Sequence, residues 1–234
     1  VIHGKIRIVD LFFYCCKLAT SNDYSNLTIF FDMALGTLFI ISAPSGAGKT
    51  SLVSELLNRM DNIQVSVSHT TRSSRSGEQD GINYHFVSRQ QFETMVAEQK
   101  FVEHAEVFGN YYGTSEDWVN STLNQGIDVI LEIDWQGAEQ VRNKFPRSKS
   151  IFILPPSKQA LLERLKGRGQ DEDSVIEKRV AAATEEMSHY AQADYLVIND
   201  QFEVACGQLQ TIVEAQRCEI NTQRHKKLLI DLLS

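Results

Sequence analysis

The sequence is short of cysteine and lacks any excess of positive charge or any long apolar run. Its four cysteines, Cys15, Cys16, Cys206 and Cys218, form no Cys-x-x-Cys pair and have no histidine at a zinc-like spacing, so they read as reduced thiols of a cytoplasmic protein. With 23 Lys and Arg against 30 Asp and Glu, the formal net charge is −7, which argues against a nucleic-acid partner because a phosphate backbone wants a basic face. Any anion site must therefore be local. No stretch approaches the roughly 20 apolar residues that span a bilayer, so no membrane partner is expected. Internal repeats and low-complexity tracts are also missing. The 234 residues are enough for one α/β domain with a core and one small insertion.

The first thirty-two residues stand apart. Lys5 and Arg7 ahead of Leu11-Phe12-Phe13-Tyr14-Cys15-Cys16 have the outline of a signal peptide, but the apolar run is short, Asp10 and Lys17 bracket it, and no clean cleavage pattern follows. Met33 then opens a segment that leads into a buried-strand pattern. Residues 1–32 are expected to be an extension outside the fold, with translation starting at Met33; an added helix or targeting segment is the alternative.

From Leu38 onward short apolar runs alternate with amphipathic stretches. Leu38-Phe39-Ile40-Ile41, Val129-Ile130-Leu131, Ile151-Phe152-Ile153-Leu154 and Tyr195-Leu196-Val197-Ile198 have the length and continuity of buried strands. Leu52, Leu56 and Leu57 recur at helical spacing, and helical patterns follow the later strands around 136–145, 157–166 and 201–228. This alternation predicts an α/β fold, a parallel sheet with helices on both faces. Residues 66–117 break the rhythm. They are polar, aromatic and rich in turns, and read as an inserted lobe.

Ala43-Pro44-Ser45-Gly46-Ala47-Gly48-Lys49-Thr50 fits the P-loop pattern, with alanine in place of its first glycine. Backbone N–H groups of such a loop, with the helix N-terminus behind it, can cradle the phosphates of a nucleoside triphosphate. In that setting Ser45, Gly46, Ala47 and Gly48 line the anion, Lys49 reaches the β and γ phosphates and the Thr50 hydroxyl ligates Mg²⁺. Ala43 requires a negative φ there. The plain alternative is a glycine-rich turn with a solvated lysine.

Ser66-Val67-Ser68-His69-Thr70-Thr71-Arg72-Ser73-Ser74-Arg75-Ser76-Gly77-Glu78, then Asn83-Tyr84-His85-Phe86-Val87, Phe101-Val102-Glu103-His104-Ala105-Glu106 and Gly109-Asn110-Tyr111-Tyr112-Gly113-Thr114 resemble the guanylate kinase family. Two arginines three apart on a turn can converge on one phosphate, although a solvated polar loop would look the same in isolation. The resemblance implies that Arg72 and Arg75, with the hydroxyls of Tyr84 and Tyr112, bind the phosphate of GMP. It also implies that Glu103 accepts the two adjacent N–H donors of guanine and that the hydroxyls of Ser68 and Thr114 support the base. An acceptor-only carboxylate suits that pair of donors. On its own Glu103 would read as a solvated carboxylate.

The resemblance continues through Leu131-Glu132-Ile133-Asp134-Trp135-Gln136-Gly137 and Gly167-Arg168-Gly169-Gln170-Asp171, and it covers Leu38 to Arg217 in family order. It implies that Asp134 stands near the magnesium and its waters, although Asp134 can equally cap the following helix. Glu132 occupies a position where many members have aspartate. Arg168 and Arg179 are implied to reach the transferring phosphates as a lid closes, and Asn199 to lie near the adenine of ATP. Arg164 lies near the same surface without an assigned contact.

On this reading the core comprises 33–65, 118–166 and 191–234, the GMP-binding lobe 66–117 and the helical lid 167–190. The implied chemistry is direct phosphoryl transfer from ATP to GMP with Mg²⁺, in the cytoplasm. The oligomeric state is left open, a homo-oligomer included. His69, His85 and His104 match no chemical role and read as packing or surface residues. Two rivals remain. One is a catalytically inert interaction module on the same fold, against which Gly48, Lys49, Thr50, Asp134, Arg168 and Arg179 all speak; the other is a P-loop kinase of a different nucleotide.

Overall fold

The computed structural model describes residues 35–107, 109–166, 173–219 and 231–232, and for 173–179 the backbone alone. The expected extension 1–32, Met33, Arg168 and the helical pattern over 220–228 lie outside the described residues. In chain order the elements are β1 Leu38–Ser42, α1 Lys49–Arg59, β2 Ile63–Val65, β3 His69–Thr70, β4 His85–Phe86, α2 Arg89–Ala97, β5 Phe101–Val107, β6 Asn110–Ser115, α3 Glu116–Asn124, β7 Asp128–Glu132, α4 Trp135–Lys144, β8 Lys149–Leu154, α5 Lys158–Lys166, α6 Asp173–Ser188, β9 Tyr195–Ile198 and α7 Phe202–Arg217, with a 3-10 turn His189–Gln192 before β9.

Five strands form one parallel sheet in the order β2-β7-β1-β8-β9. All five residues of β1 are buried, which is why its sequence is a continuous apolar run rather than an alternation. The two-residue period still sorts its side chains. Phe39 and Ile41 pack with Leu52, Val53 and Leu56 of α1 and Leu209 and Val213 of α7, whereas Leu38 and Ile40 pack with Val119 of α3 and Ala138 and Val141 of α4. Helices therefore cover both faces, and each fully buried Ile, Leu or Phe contributes roughly 1.5–3 kcal/mol. β2, three residues at the sheet edge, is too short to have been read from the sequence.

Residues 69–115 contain a second sheet of four strands, β4-β3-β6-β5, mixed in direction. The ladder between β5 and β6 shifts register between Phe101 and Glu103. A strand with one covered face should alternate, yet Phe101, Val102 and Glu103 are all buried in succession. The irregularity turns a carboxylate inward. Gln140 of α4 ties this sheet to the core: its amide accepts from the His104 N–H at 3.1 Å and donates to the His104 carbonyl at 2.9 Å. At the far end of α6 the His189 ring stacks on Trp135 at 3.9 Å between centroids.

Candidate active site

β1 runs into the loop 43–48, and α1 starts at Lys49. Gly48, the N-cap of α1, has φ 93° and no side chain caps the helix, so its first amides remain available to an anion. Gly46 and Gly48 both have positive φ, while Ala43 is not among the described residues that do, so the alanine there meets no backbone strain.

Residues far along the chain hold this loop from outside. The buried Asn199 donates its amide to the Ala47 carbonyl at 2.7 Å, and Arg164 donates to the Asn199 carbonyl at 2.8 Å. Glu186, on α6, accepts from the Ser45 N–H at 3.2 Å. Burial raises the Glu186 carboxyl above the ordinary range, an effect opposed by that N–H and by the Lys49 charge. The Asn199 amide, expected near an adenine, is thus engaged with the loop backbone. A Cβ on Gly48 would stand 2.4 Å from the Asn199 Nδ2, a second reason for glycine at that position.

Lys49 is partly buried and faces acidic neighbours. Desolvation lowers its pKa below the usual lysine value, and Glu132, Asp134, Glu186 and Glu103 oppose the shift, in that order. The Thr50 hydroxyl donates to Glu132 at 3.1 Å. Asp134 is the N-cap of α4 and accepts from the Gly137 N–H at 2.9 Å. The helix-cap role is thus present, and the other Asp134 oxygen meets the Gln136 amide at a long 3.4 Å. Glu132, given no role from the sequence, is the carboxylate that touches Thr50.

In the second sheet, Arg72 forks onto Glu78 at 2.8 and 3.0 Å and lies 5.3 Å from the centre of the Tyr84 ring. The Arg75 N–H donates to the same carboxylate at 2.7 Å, and Tyr84 and Tyr112 are ring neighbours at 6.0 Å. Glu78 therefore organises the turn that carries both arginines, a role its bare sequence position did not reveal. Ser68 joins this sheet through its backbone carbonyl, which accepts from the His85 N–H at 2.9 Å. The Thr114 hydroxyl, expected to support a guanine base, instead engages Glu103. The two are register partners across the β5–β6 ladder, and the Thr114 hydroxyl donates to the Glu103 carboxylate at 2.7 Å.

Glu103 is 3 % exposed, and burial pushes its carboxyl up to about 7. The Asp134 charge adds to the rise, while the Thr114 hydroxyl and the Lys49 charge oppose it. Near neutral pH both the protonated and the ionised form of this carboxylate are therefore populated. A ligand that offers two N–H donors binds the ionised form, so its affinity is expected to fall about tenfold between pH 8 and pH 6, as the ionised fraction does. Guanosine, which lacks a titrating phosphate, is the probe: its binding, measured directly, should weaken on acidification while ATP binding does not. The same shift works against folding. The cost of burying the charge is absent below the ordinary glutamate value of 4.5, grows as the pH rises to about 7, and is constant above it.

Arg168 lies outside the described residues, and for Arg179 only the backbone, in α6, is described. Lys49, Thr50, Glu132, Asp134 and Glu103 are brought together by the C-terminal ends of β1 and β7 and by the second sheet. A cavity of about 520 Å³ opens at the other end of the parallel sheet, beside Leu38 and Lys149, away from this chemistry. Among the described residues no helix is long and apolar enough to cross a membrane.

A parallel sheet whose central strand enters a glycine-containing loop and a helix N-terminus, with a lysine and a hydroxyl at the helix start, defines a P-loop nucleotide-binding protein. The family model described as guanylate kinase matches residues 36–216. A guanylate kinase of Saccharophagus degradans is 60 % identical over 201 residues, covering 85 % of this chain and 98 % of that one. One from Salmonella typhimurium is 55 % identical over 206 residues, covering 86 % of this chain and 100 % of that one. The crystal structure of guanylate kinase from Anaplasma phagocytophilum superposes with a TM-score of 0.69 at 32 % identity, over 86 % of this chain and 96 % of that one. The chain belongs to the guanylate kinase family.

Proposed function

We propose that this protein transfers the γ-phosphoryl group of ATP to GMP, giving ADP and GDP. The observation that carries this reading is Glu103, a buried carboxylate fixed by Thr114 and within the electrostatic reach of Lys49. An acceptor so placed suits the N1–H and 2-amino group of guanine, next to a loop suited to a triphosphate. Residues 66–117 serve as the GMP-binding lobe and 167–190 as the lid. Arg72, Arg75, Tyr84 and Tyr112 hold the monophosphate; for this Arg72 must exchange its fork on Glu78 for the phosphate or share it.

A phosphate oxygen of GMP attacks the γ-phosphorus, the bond to the bridging oxygen of ADP breaks, and no covalent enzyme intermediate forms. Lys49 supplies positive charge where the bridging oxygen gains negative charge, and Arg168 and Arg179 serve the equatorial oxygens when the lid covers them. Mg²⁺ bound with ATP would supply positive charge against the phosphates. The Thr50 hydroxyl with the Glu132 and Asp134 carboxylates is an all-oxygen set that fits such a hard cation. So small a set suffices, because Mg²⁺ takes the rest of its ligands from phosphates and water.

The test is a coupled ADP-release assay with GMP, AMP, CMP and UMP. Turnover with GMP is expected to exceed that with AMP by about 10⁴ in kcat/KM, the discrimination typical of a site with buried polar pairing. Comparable use of AMP would assign a different nucleotide, and no turnover at all would leave the interaction module.

A further inference from the structure

We propose that Gly137 is a positioning residue for substrate choice: its missing side chain leaves the space in which the Glu103 carboxylate lies, and so sets where the guanine donors are read. This rests on Glu103 being the guanine acceptor.

Gly137 sits in the first turn of α4 and is buried there. It is not among the glycines with positive φ, so backbone freedom does not explain it. Within a helix alanine is the better residue, and glycine stands here against local preference. What glycine provides is space. A Cβ at 137 would lie 2.7 Å from the Glu103 Oε2, closer than side-chain contacts come, and a tight 3.3 Å from its Cδ, whereas Ile133 Cβ would be an ordinary neighbour at 3.4 Å.

The helix cannot retreat to make room. Gln140, one turn further along α4, grips both backbone groups of His104, the residue after Glu103. The Gly137 N–H is engaged by Asp134, which fixes the first turn. The element that can yield is the end of the Glu103 side chain, whose other oxygen is held by Thr114 at 2.7 Å. Gly137→Ala should therefore leave the fold intact and displace the carboxylate, and a displacement on the order of 1 Å in a positioned group can cost about 10² in rate.

The experiment compares four proteins: the parent, Gly137→Ala, Glu103→Ala and the double variant. For Gly137→Ala we expect kcat/KM for GMP to fall about 10²-fold, mainly through KM, with ATP affinity and thermal midpoint not lowered. The ratio of GMP to AMP use should narrow. In the Glu103→Ala background, where no carboxylate remains to be displaced, adding Gly137→Ala should change GMP use by less than about twofold, because residues acting through one contact are not additive. An equal loss in both backgrounds, or GMP use by Gly137→Ala within about threefold of the parent, would overturn the proposal. If Glu103→Ala itself spares GMP use, the guanine-acceptor reading falls, and the proposal with it.

Discussion

Lys49→Ala is expected to lower kcat by at least about 10³, equivalent to about 4 kcal/mol of transition-state stabilisation, with the fold retained. Lys49 is partly buried, and desolvation lowers its pKa, so its charge is less screened than that of a surface lysine. Removing it also changes its neighbours. Lys49 holds the Glu103 carboxyl down against burial, so in the variant the pH midpoint for guanosine binding should move above that of the parent. Single-turnover kinetics at saturating ATP and GMP, with a melting curve alongside, check the prediction. Turnover within about tenfold of the parent would exclude Lys49 from phosphoryl transfer.

Glu103→Gln is expected to lower kcat/KM for GMP by about 10³ to 10⁴ while ATP affinity barely changes. If the amide oxygen keeps the Thr114 hydroxyl, its NH₂ group faces a guanine N–H, donor against donor. If the amide is reversed, one oxygen remains for two guanine donors and the charge is lost in either case. Stability should move the other way. At about pH 8 the parent buries an ionised carboxylate whose pKa is raised to about 7, and the neutral amide avoids that cost, so the variant should melt no lower. Steady-state kinetics with GMP and calorimetric titration with ATP separate the two effects. GMP use within about threefold of the parent would remove Glu103 from the guanine site.

The parallel sheet was legible because it is buried on both faces. The runs at Leu38, Val129, Ile151 and Tyr195 stand within two residues of the bounds of β1, β7, β8 and β9, and the helical pattern around 136–145 corresponds to α4 at Trp135–Lys144. The second sheet was not. β3 and β4 have two residues each, too few to display any period, so the stretch read as 66–117 was not resolved into strands. Within the site, the motif residues Lys49 and Thr50 were evident from spacing, and the Glu103 position from family resemblance. The burial of Glu103 was hidden, because it depends on a register shift that breaks alternation. Glu186 and Glu78 were missed for different reasons. Glu186 reaches Ser45 across 141 residues, which no local pattern records, whereas Glu78 stood in a quoted motif without a signal for its bonds to Arg72 and the Arg75 N–H.

The tie from Asn199 to Ala47 spans 152 residues. During synthesis the loop and α1 leave the ribosome long before β9 exists, so the earliest part of the site is finished by one of the latest. Until β9 has joined β8, the Ala47 carbonyl has no Asn199 amide and the loop lacks one of the bonds that fix its curvature. A nascent chain can thus collapse its first strand and helix before the loop has all the bonds that hold it in the folded protein.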